Sequence, residues 1–202
     1  MRRLLLMAVV IAGMPGTLFA QLSVLDMDTA LRNGDITLTA AGNGGSSGAS
    51  IDGYLQNNRT RIIRINTIIS AGLYLENSGS AQNMVATQLY FADGGYYTEE
   101  DLAFIELEPG GRTPVTLIAF CADFELDNPS SGDSFNGASM PSDLRSIAAK
   151  VSRYMANHPD EDTVTAAQLA FWLTRGETLD SIHKKFDFTP DDAALARQIM
   201  NY

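Results

Sequence analysis

The sequence predicts an α+β protein in which an N-terminal antiparallel β-sandwich is followed by a C-terminal cluster of three to four helices. Short apolar segments separated by glycine, asparagine and proline turns occupy the first part of the chain, a pattern typical of a sandwich. After Pro141, apolar residues recur at helical spacing. Hydrophobic residues make up 45% of the chain, which is enough for an ordinary core.

Residues 1–20 are expected to be a secretory signal peptide and not part of the fold. Arg2 and Arg3 form a basic start, an apolar run follows over residues 4–12, and Ala20 supplies a small residue for cleavage. The alternative is an uncleaved membrane anchor, but the run is shorter than the roughly 20 apolar residues needed to span a bilayer. We therefore predict a secreted protein, periplasmic or extracellular, with no membrane association after cleavage.

The charge balance limits the partners that the chain can bind. Its 24 acidic and 14 basic residues give a net charge of −10. This charge repels phosphate backbones and anionic lipids, so the composition argues against nucleic-acid binding. With two histidines and one cysteine, the chain also lacks the usual ligands of a zinc site, and we expect no cofactor.

The predicted sandwich region spans residues 21–135. Within it, Ile63 and Ile65 fall on one face of a strand while Arg64 and Asn66 fall on the other. The glycine- and serine-rich stretch 41–48 is predicted to be a mobile loop. The predicted strands are Asp35–Thr39, Arg61–Ile68, Leu73–Leu75, Met84–Phe91, Leu102–Leu107 and Val115–Cys121.

The predicted helical region spans residues 136–202 and is expected to pack on the sandwich. Ser142 or Asp143 can cap the first helix, which ends before Pro159. A second helix is predicted to begin at Asp162 or Thr163 and to end at Gly176, and a third, shorter helix to follow over 179–186. The start of the last helix is marked by the segment Thr189-Pro190-Asp191-Asp192, in which a capping hydroxyl precedes a proline and two acids.

The chain's one cysteine, Cys121, is the most informative candidate for a functional side chain. Secreted proteins normally use cysteines in pairs, so a lone thiol is either buried and inert or bonded to a different partner. Cys121 ends a predicted strand, at the rim of the core and next to an acidic loop. Gln168 lies on the apolar face of the second predicted helix, where its carboxamide should be buried.

Two interpretations of Gln168 remain open at this point. A buried carboxamide left unpaired would cost about 1–3 kcal/mol, so a hydrogen bond to the backbone of a strand or loop is one answer. The other is covalent: the Cys121 thiol attacks the Gln168 carboxamide and expels ammonia, which leaves an internal thioester. That reaction requires enforced proximity, because a primary amide is a poor electrophile.

The residues around the pair resemble the thioester domains of bacterial surface adhesins. In that family an aromatic residue precedes the cysteine, as Phe120 does here, and the glutamine motif is Thr-Gln-x-Ala with a tryptophan two places on. The segment Ala167–Trp172 is similar to that motif, with alanine in place of the threonine. The resemblance covers the region from about Val115 to Trp172. It implies a Cys121–Gln168 cross-link in a bacterial cell-adhesion protein, whose partner is an amine or hydroxyl on a protein or other surface. The supporting shell would be Phe120, Ala170, Phe171 and Trp172.

Other interpretations are weaker. The carboxylates of Asp123, Glu125, Asp127 and Asp133 form a weak calcium-site candidate, although a solvated acidic loop suits their spacing better. A nucleophilic pair of Cys121 with His158 or His183 has no recognisable catalytic context, and we predict that the protein is not an enzyme. The main alternative to the thioester is a secreted structural or binding module in which Cys121 is a buried free thiol. The sequence does not determine the oligomeric state.

Overall fold

The computed structural model describes residues 23–92 and 103–202, and the predicted signal peptide lies outside these ranges. The described strands are β1 (Val24–Leu25), β2 (Ile36–Gly42), β3 (Ser47–Asn57), β4 (Ile63–Asn66), β5 (Ile68–Asn77), β6 (Met84–Phe91), β7 (Phe104–Leu107), β8 (Arg112–Cys121) and β9 (Ser134–Ala138). The described helices are α1 (Met27–Arg32), α2 (Ser142–Asn157), α3 (Val164–Thr174), α4 (Leu179–Ile182) and α5 (Pro190–Asn201).

Six strands close into a barrel in the order β2-β3-β8-β6-β5-β9, so the predicted sandwich followed by a helical cluster is wrong. Strand β9 closes the barrel because it pairs antiparallel with β2 on one side and with β5 on the other. Two sheets of a sandwich keep free edges, whereas closure pairs the backbone groups of every strand. A second sheet contains β1, β4 and β7, and helix α1 lies within the strand-rich part of the chain.

The loop predicted over residues 41–48 is shorter in the structure. Strand β2 continues to Gly42 and β3 begins at Ser47, so this stretch is a hairpin. Asn43 fixes the turn: its side-chain Nδ2 donates to Ala49 O at 2.9 Å, and its Oδ1 accepts from Gly45 N at 3.1 Å. The turn is therefore held by hydrogen bonds although its residues have little side-chain volume to pack.

The helices cover the barrel and complete its core. Helix α2 packs on β5 and β6, and Ser152 Oγ donates to Ile69 O at 2.8 Å. The approach is close at Gly72, whose φ is +70° and where a Cβ would lie 2.8 Å from the Cβ of Ala148. Helix α3 packs against β3, β8 and α5. Helix α3 packs on the end of β8, and all residues from Leu117 to Cys121, as well as Ala122 just after the strand, are buried.

Candidate functional site

Cys121 is the last residue of β8 and is completely buried. On one side its strand pairs with β6, where Met84 is opposite Cys121, and on the other with β3, whose first residue, Ser47, is opposite Phe120. The thiol donates to the carbonyl oxygen of Ser46, with Sγ and O 2.9 Å apart. Cys121 thus lies at the end of its strand, as the sequence suggests, but α3 and the loop after β8 seal it from solvent.

Gln168 is in the middle of α3, is completely buried, and lies against Cys121. The Cys121 backbone N–H donates to Gln168 Oε1 at 2.8 Å, and Gln168 Nε2 donates to the Cys121 carbonyl oxygen at 2.9 Å. The carboxamide therefore takes the place of a strand partner for Cys121, which lies just beyond Ser47, the first residue of β3. The structure brings together two residues that are 47 positions apart, and both polar ends of the carboxamide are satisfied by one residue.

The four residues predicted as a supporting shell are all buried. The rings of Phe120 and Phe171 stack with centroids 5.5 Å apart, one from β8 and one from α3. Trp172 makes edge contacts with Phe124 and Phe186, each at 5.2 Å between centroids. Together with Ala170, these side chains make the seam between barrel and α3 apolar and exclude water from the Cys121–Gln168 pair.

Burial controls the acidity of the thiol. It raises the pKa of Cys121 from 9.0 to about 12, and the negative charge of Asp123 contributes in the same direction. The thiol is therefore protonated at neutral pH and acts as a hydrogen-bond donor to Ser46. A free thiol in this position should react slowly with solvent-borne electrophiles, because the thiolate is the reactive form.

The loop that follows β8 is fastened across the end of the barrel by Asp123 and Arg175. The Asp123 carboxylate accepts hydrogen bonds from Asn83 Nδ2 at 2.7 Å and from Asn83 N at 3.2 Å. Arg175, at the C-terminal end of α3, donates to Asp123 Oδ1 at 2.9 Å and to Ala122 O at 3.0 Å, and it also pairs with Asp143. Arg175 is not among the predicted site residues, although a basic residue just before Gly176 at a helix end is a signal for such a contact.

The acidic residues of the calcium-site candidate have different partners. Asp123 pairs with Arg175, Glu125 pairs with Lys185 at 3.0 Å, and Asp133 Oδ2 accepts from Ser130 N at 2.9 Å. The hydrogen bonds from Ser130 hold the pKa of Asp133 below its usual range. Within the two described ranges, no three of the His, Cys, Asp and Glu side chains form a group that could hold a metal ion.

The two histidines lie in other surroundings. His158 stacks on Tyr154 with ring centroids 4.0 Å apart, and its Nδ1 lies 2.8 Å from Tyr154 O. His183 makes an edge contact with Phe188. Both rings are therefore engaged within the helical part of the chain.

Comparisons of the chain with protein-family models, with curated proteins and with solved structures give no match. None of the helices in the described part of the chain has the length and apolar character required to cross a membrane.

Proposed function

We propose that this is a secreted protein that attaches covalently to a target through an internal thioester between Cys121 and Gln168. One observation carries the proposal: the Gln168 carboxamide is held at 2.8 and 2.9 Å against the backbone of Cys121, in a fully buried seam. The carbonyl carbon of this carboxamide, Cδ, is thereby fixed next to the backbone of Cys121, the residue that carries the thiol. Fixed proximity of this kind is what an unreactive primary amide needs.

The proposed formation step balances without an added reagent. A bond forms between Cys121 Sγ and Gln168 Cδ, and the Cδ–Nε2 bond breaks. The thiol proton leaves with the departing NH₂ group as ammonia. The step requires Sγ to give up its hydrogen bond to Ser46 O and to come into contact with Cδ.

The buried seam suits storage of the product. A thioester is an activated acyl group that water hydrolyses, and Phe120, Phe171 and Trp172 exclude water from this position. In the transfer step a target amine or hydroxyl attacks Cδ, the Cδ–Sγ bond breaks, and the nucleophile's proton passes to sulfur. The high pKa of the buried thiol favours that proton transfer.

Methylamine labelling tests the proposal. We expect the protein to gain one methylamide, located at Gln168 by peptide mass spectrometry, with release of one titratable thiol. The Cys121→Ala variant is the matched control, because it keeps the backbone groups that bind Gln168 but cannot form the thioester. Equal labelling of the two proteins, or a label at another residue, would contradict the proposal.

The second candidate is a non-catalytic structural or binding module. It is favoured by the same two hydrogen bonds, since they give both polar atoms of the Gln168 side chain a partner, and by the contact of the thiol with Ser46 O. On this alternative Gln168 joins α3 to the end of β8 and Cys121 remains a free thiol. Absence of labelling together with a titratable thiol after unfolding would favour it.

A further inference from the structure

The wall of the barrel opens between β2 and β9. These two strands share only two residue pairs, Ala40 with Phe135 and Ala41 with Ser134. Beyond these pairs β9 remains paired with β5 as far as Ala138, and β2 remains paired with β3 back to Ile36. The same register would set Leu38 opposite Gly137, but these two residues do not pair, so the strands diverge at this point.

Backbone hydrogen-bonding groups of both strands face this opening. In an antiparallel ladder, every second residue directs its N–H and C=O towards the same neighbouring strand. Gly42 N donates to Asp133 O, so the even-numbered residues of β2, including Leu38, face β9. By the same alternation the odd-numbered residues of β9, including Gly137, face β2. Leu38 is half-buried and Gly137 is exposed, so both are accessible from solvent.

A groove with an apolar floor lies in the opening. It has a volume of about 840 Å³ and is lined by residues of α1, β2, β5 and β9 and by the segment that leads into α2. Its apolar side chains include Leu31, Leu73 and Met140. The volume falls within the roughly 300–1,000 Å³ that is usual for ligand-binding clefts. The groove can therefore hold apolar side chains of a bound molecule.

The groove is basic, although the chain has a net charge of −10. Arg32 and Arg145 line it, and Asp28, the acid among its described lining residues, pairs with Arg32 at 2.9 Å. Arg145 Nε donates to Met140 O at 3.2 Å, and within residues 23–92 and 103–202 this arginine has no ion-pair partner. Arg145 also lies near the N-terminus of α2, which no side chain caps. A helix N-terminus is positive, so a nearby arginine is unfavourable there unless an anion accompanies it.

We propose that this groove binds an extended acidic segment of a partner protein, which adds to the barrel as a strand between β2 and β9. The backbone groups of Leu38 and Gly137 would pair with the segment, as in other complexes formed by strand addition. Side chains alternate along a strand, so apolar residues of the segment face the floor while acidic residues between them reach Arg145. The proposal is independent of the thioester, because neither Cys121 nor Gln168 lines the groove.

The test measures the binding of fluorescent peptides to the mature protein by anisotropy. The probe is a short peptide in which valine alternates with glutamate. One matched peptide carries lysine in place of glutamate, and another carries N-methyl groups on its valines, which remove the N–H donors from one edge of the strand. We expect the glutamate peptide to bind and the two matched peptides to bind about tenfold more weakly or worse.

Variants of the protein separate backbone pairing from charge. Gly137→Pro removes the N–H that faces the groove, whereas Gly137→Ala keeps it, and a Cβ at this position has no atom within 4 Å. We expect the proline to weaken binding of the glutamate peptide by about tenfold and the alanine to leave it unchanged. Arg145→Gln should weaken binding by about fivefold. Arg153→Gln, at an exposed position of α2 outside the groove, is its control and should have no effect.

Three results would overturn the proposal. The first is a glutamate peptide that binds no more tightly than the lysine peptide, and the second is equal binding by Gly137→Pro and Gly137→Ala. The third is a dimer of the protein alone that Arg145→Gln dissociates, since the groove would then be occupied by a second copy of the chain. Thermal unfolding establishes whether Gly137→Pro folds. If it does not, the N-methylated peptide tests backbone pairing in its place, and equal binding of that peptide overturns the proposal.

Discussion

Replacement of Gln168 by leucine measures how strongly the carboxamide stabilises the junction between β8 and α3. Leucine has a similar volume but removes both hydrogen bonds to Cys121. The Cys121 N–H and C=O are then left buried without their partner, at about 1–3 kcal/mol each, or about 2–6 kcal/mol together. This is a large fraction of the roughly 5–15 kcal/mol by which a typical domain is stable.

The assay is equilibrium urea unfolding in a Cys121→Ala background. This background prevents a thioester from adding its own stabilisation, and it preserves the backbone groups that contact Gln168. We expect the urea midpoint to fall while the dependence of the unfolding free energy on urea concentration stays unchanged. In a thermal melt of the same proteins, the melting temperature should fall by roughly 5–20 °C.

Gln56→Leu is the control for the residue change itself, because Gln56 is exposed on β3. Its effect should stay within about 0.5 kcal/mol. A loss below about 1 kcal/mol for Gln168→Leu would refute the reasoning, since it would mean that the Cys121 backbone groups find other partners at little cost.

Two further predictions concern the thiol and the packing of α2. In protein with a free Cys121 thiol, burial raises the folded pKa from 9.0 to about 12, so stability that is present below pH 9 should be lost as the pH rises towards 12. Urea unfolding at several pH values should find a steeper loss there than in Cys121→Ala, and parallel curves would contradict this. Gly72→Ala should lower the thermal midpoint more than Gly110→Ala. Both glycines have positive φ, so an alanine costs about 1–2 kcal/mol of backbone strain at either position. Only at Gly72 would the new Cβ also collide with a neighbour, the Cβ of Ala148 at 2.8 Å. Equal thermal midpoints of the two variants, measured by circular dichroism, would contradict this, because they would mean that α2 shifts away from the new Cβ without a loss of stability.

Local signals in the sequence were sufficient for several elements. Thr189 and Pro190 predict the start of α5, and the structure confirms it with a capping box between Thr189 and Asp192. The start of the first predicted helix is correct to within one or two residues: α2 begins at Ser142, but Pro141 occupies the cap position predicted for Ser142 or Asp143, and no side chain caps the helix. These boundaries depend on neighbouring residues, which the sequence displays directly.

Elements defined by distant pairing were missed. Strand β9 buries one large apolar side chain, Phe135, so its sequence has no alternating pattern, and its backbone partners lie on β2 and β5. Strand β3 contains glycines that break the pattern, among them Gly53, where a Cβ would lie 2.7 Å from Thr39 O. Without these two strands the barrel cannot be inferred, and the remaining strands suggest a sandwich.

The candidate site, too, is only partly predictable from the sequence. Residue type and motif identify Cys121 and Gln168 as its candidates. Their contact through the Cys121 backbone and the Ser46 acceptor depends on long-range strand and helix packing, which no local pattern encodes.

The most direct test of the central proposal is the intact mass of the mature, untreated protein, combined with thiol titration after unfolding. The thioester predicts a mass lower than that of the sequence by one ammonia, and a thiol that appears only after treatment with a nucleophile. A full sequence mass with a thiol that titrates as soon as the chain unfolds would contradict it.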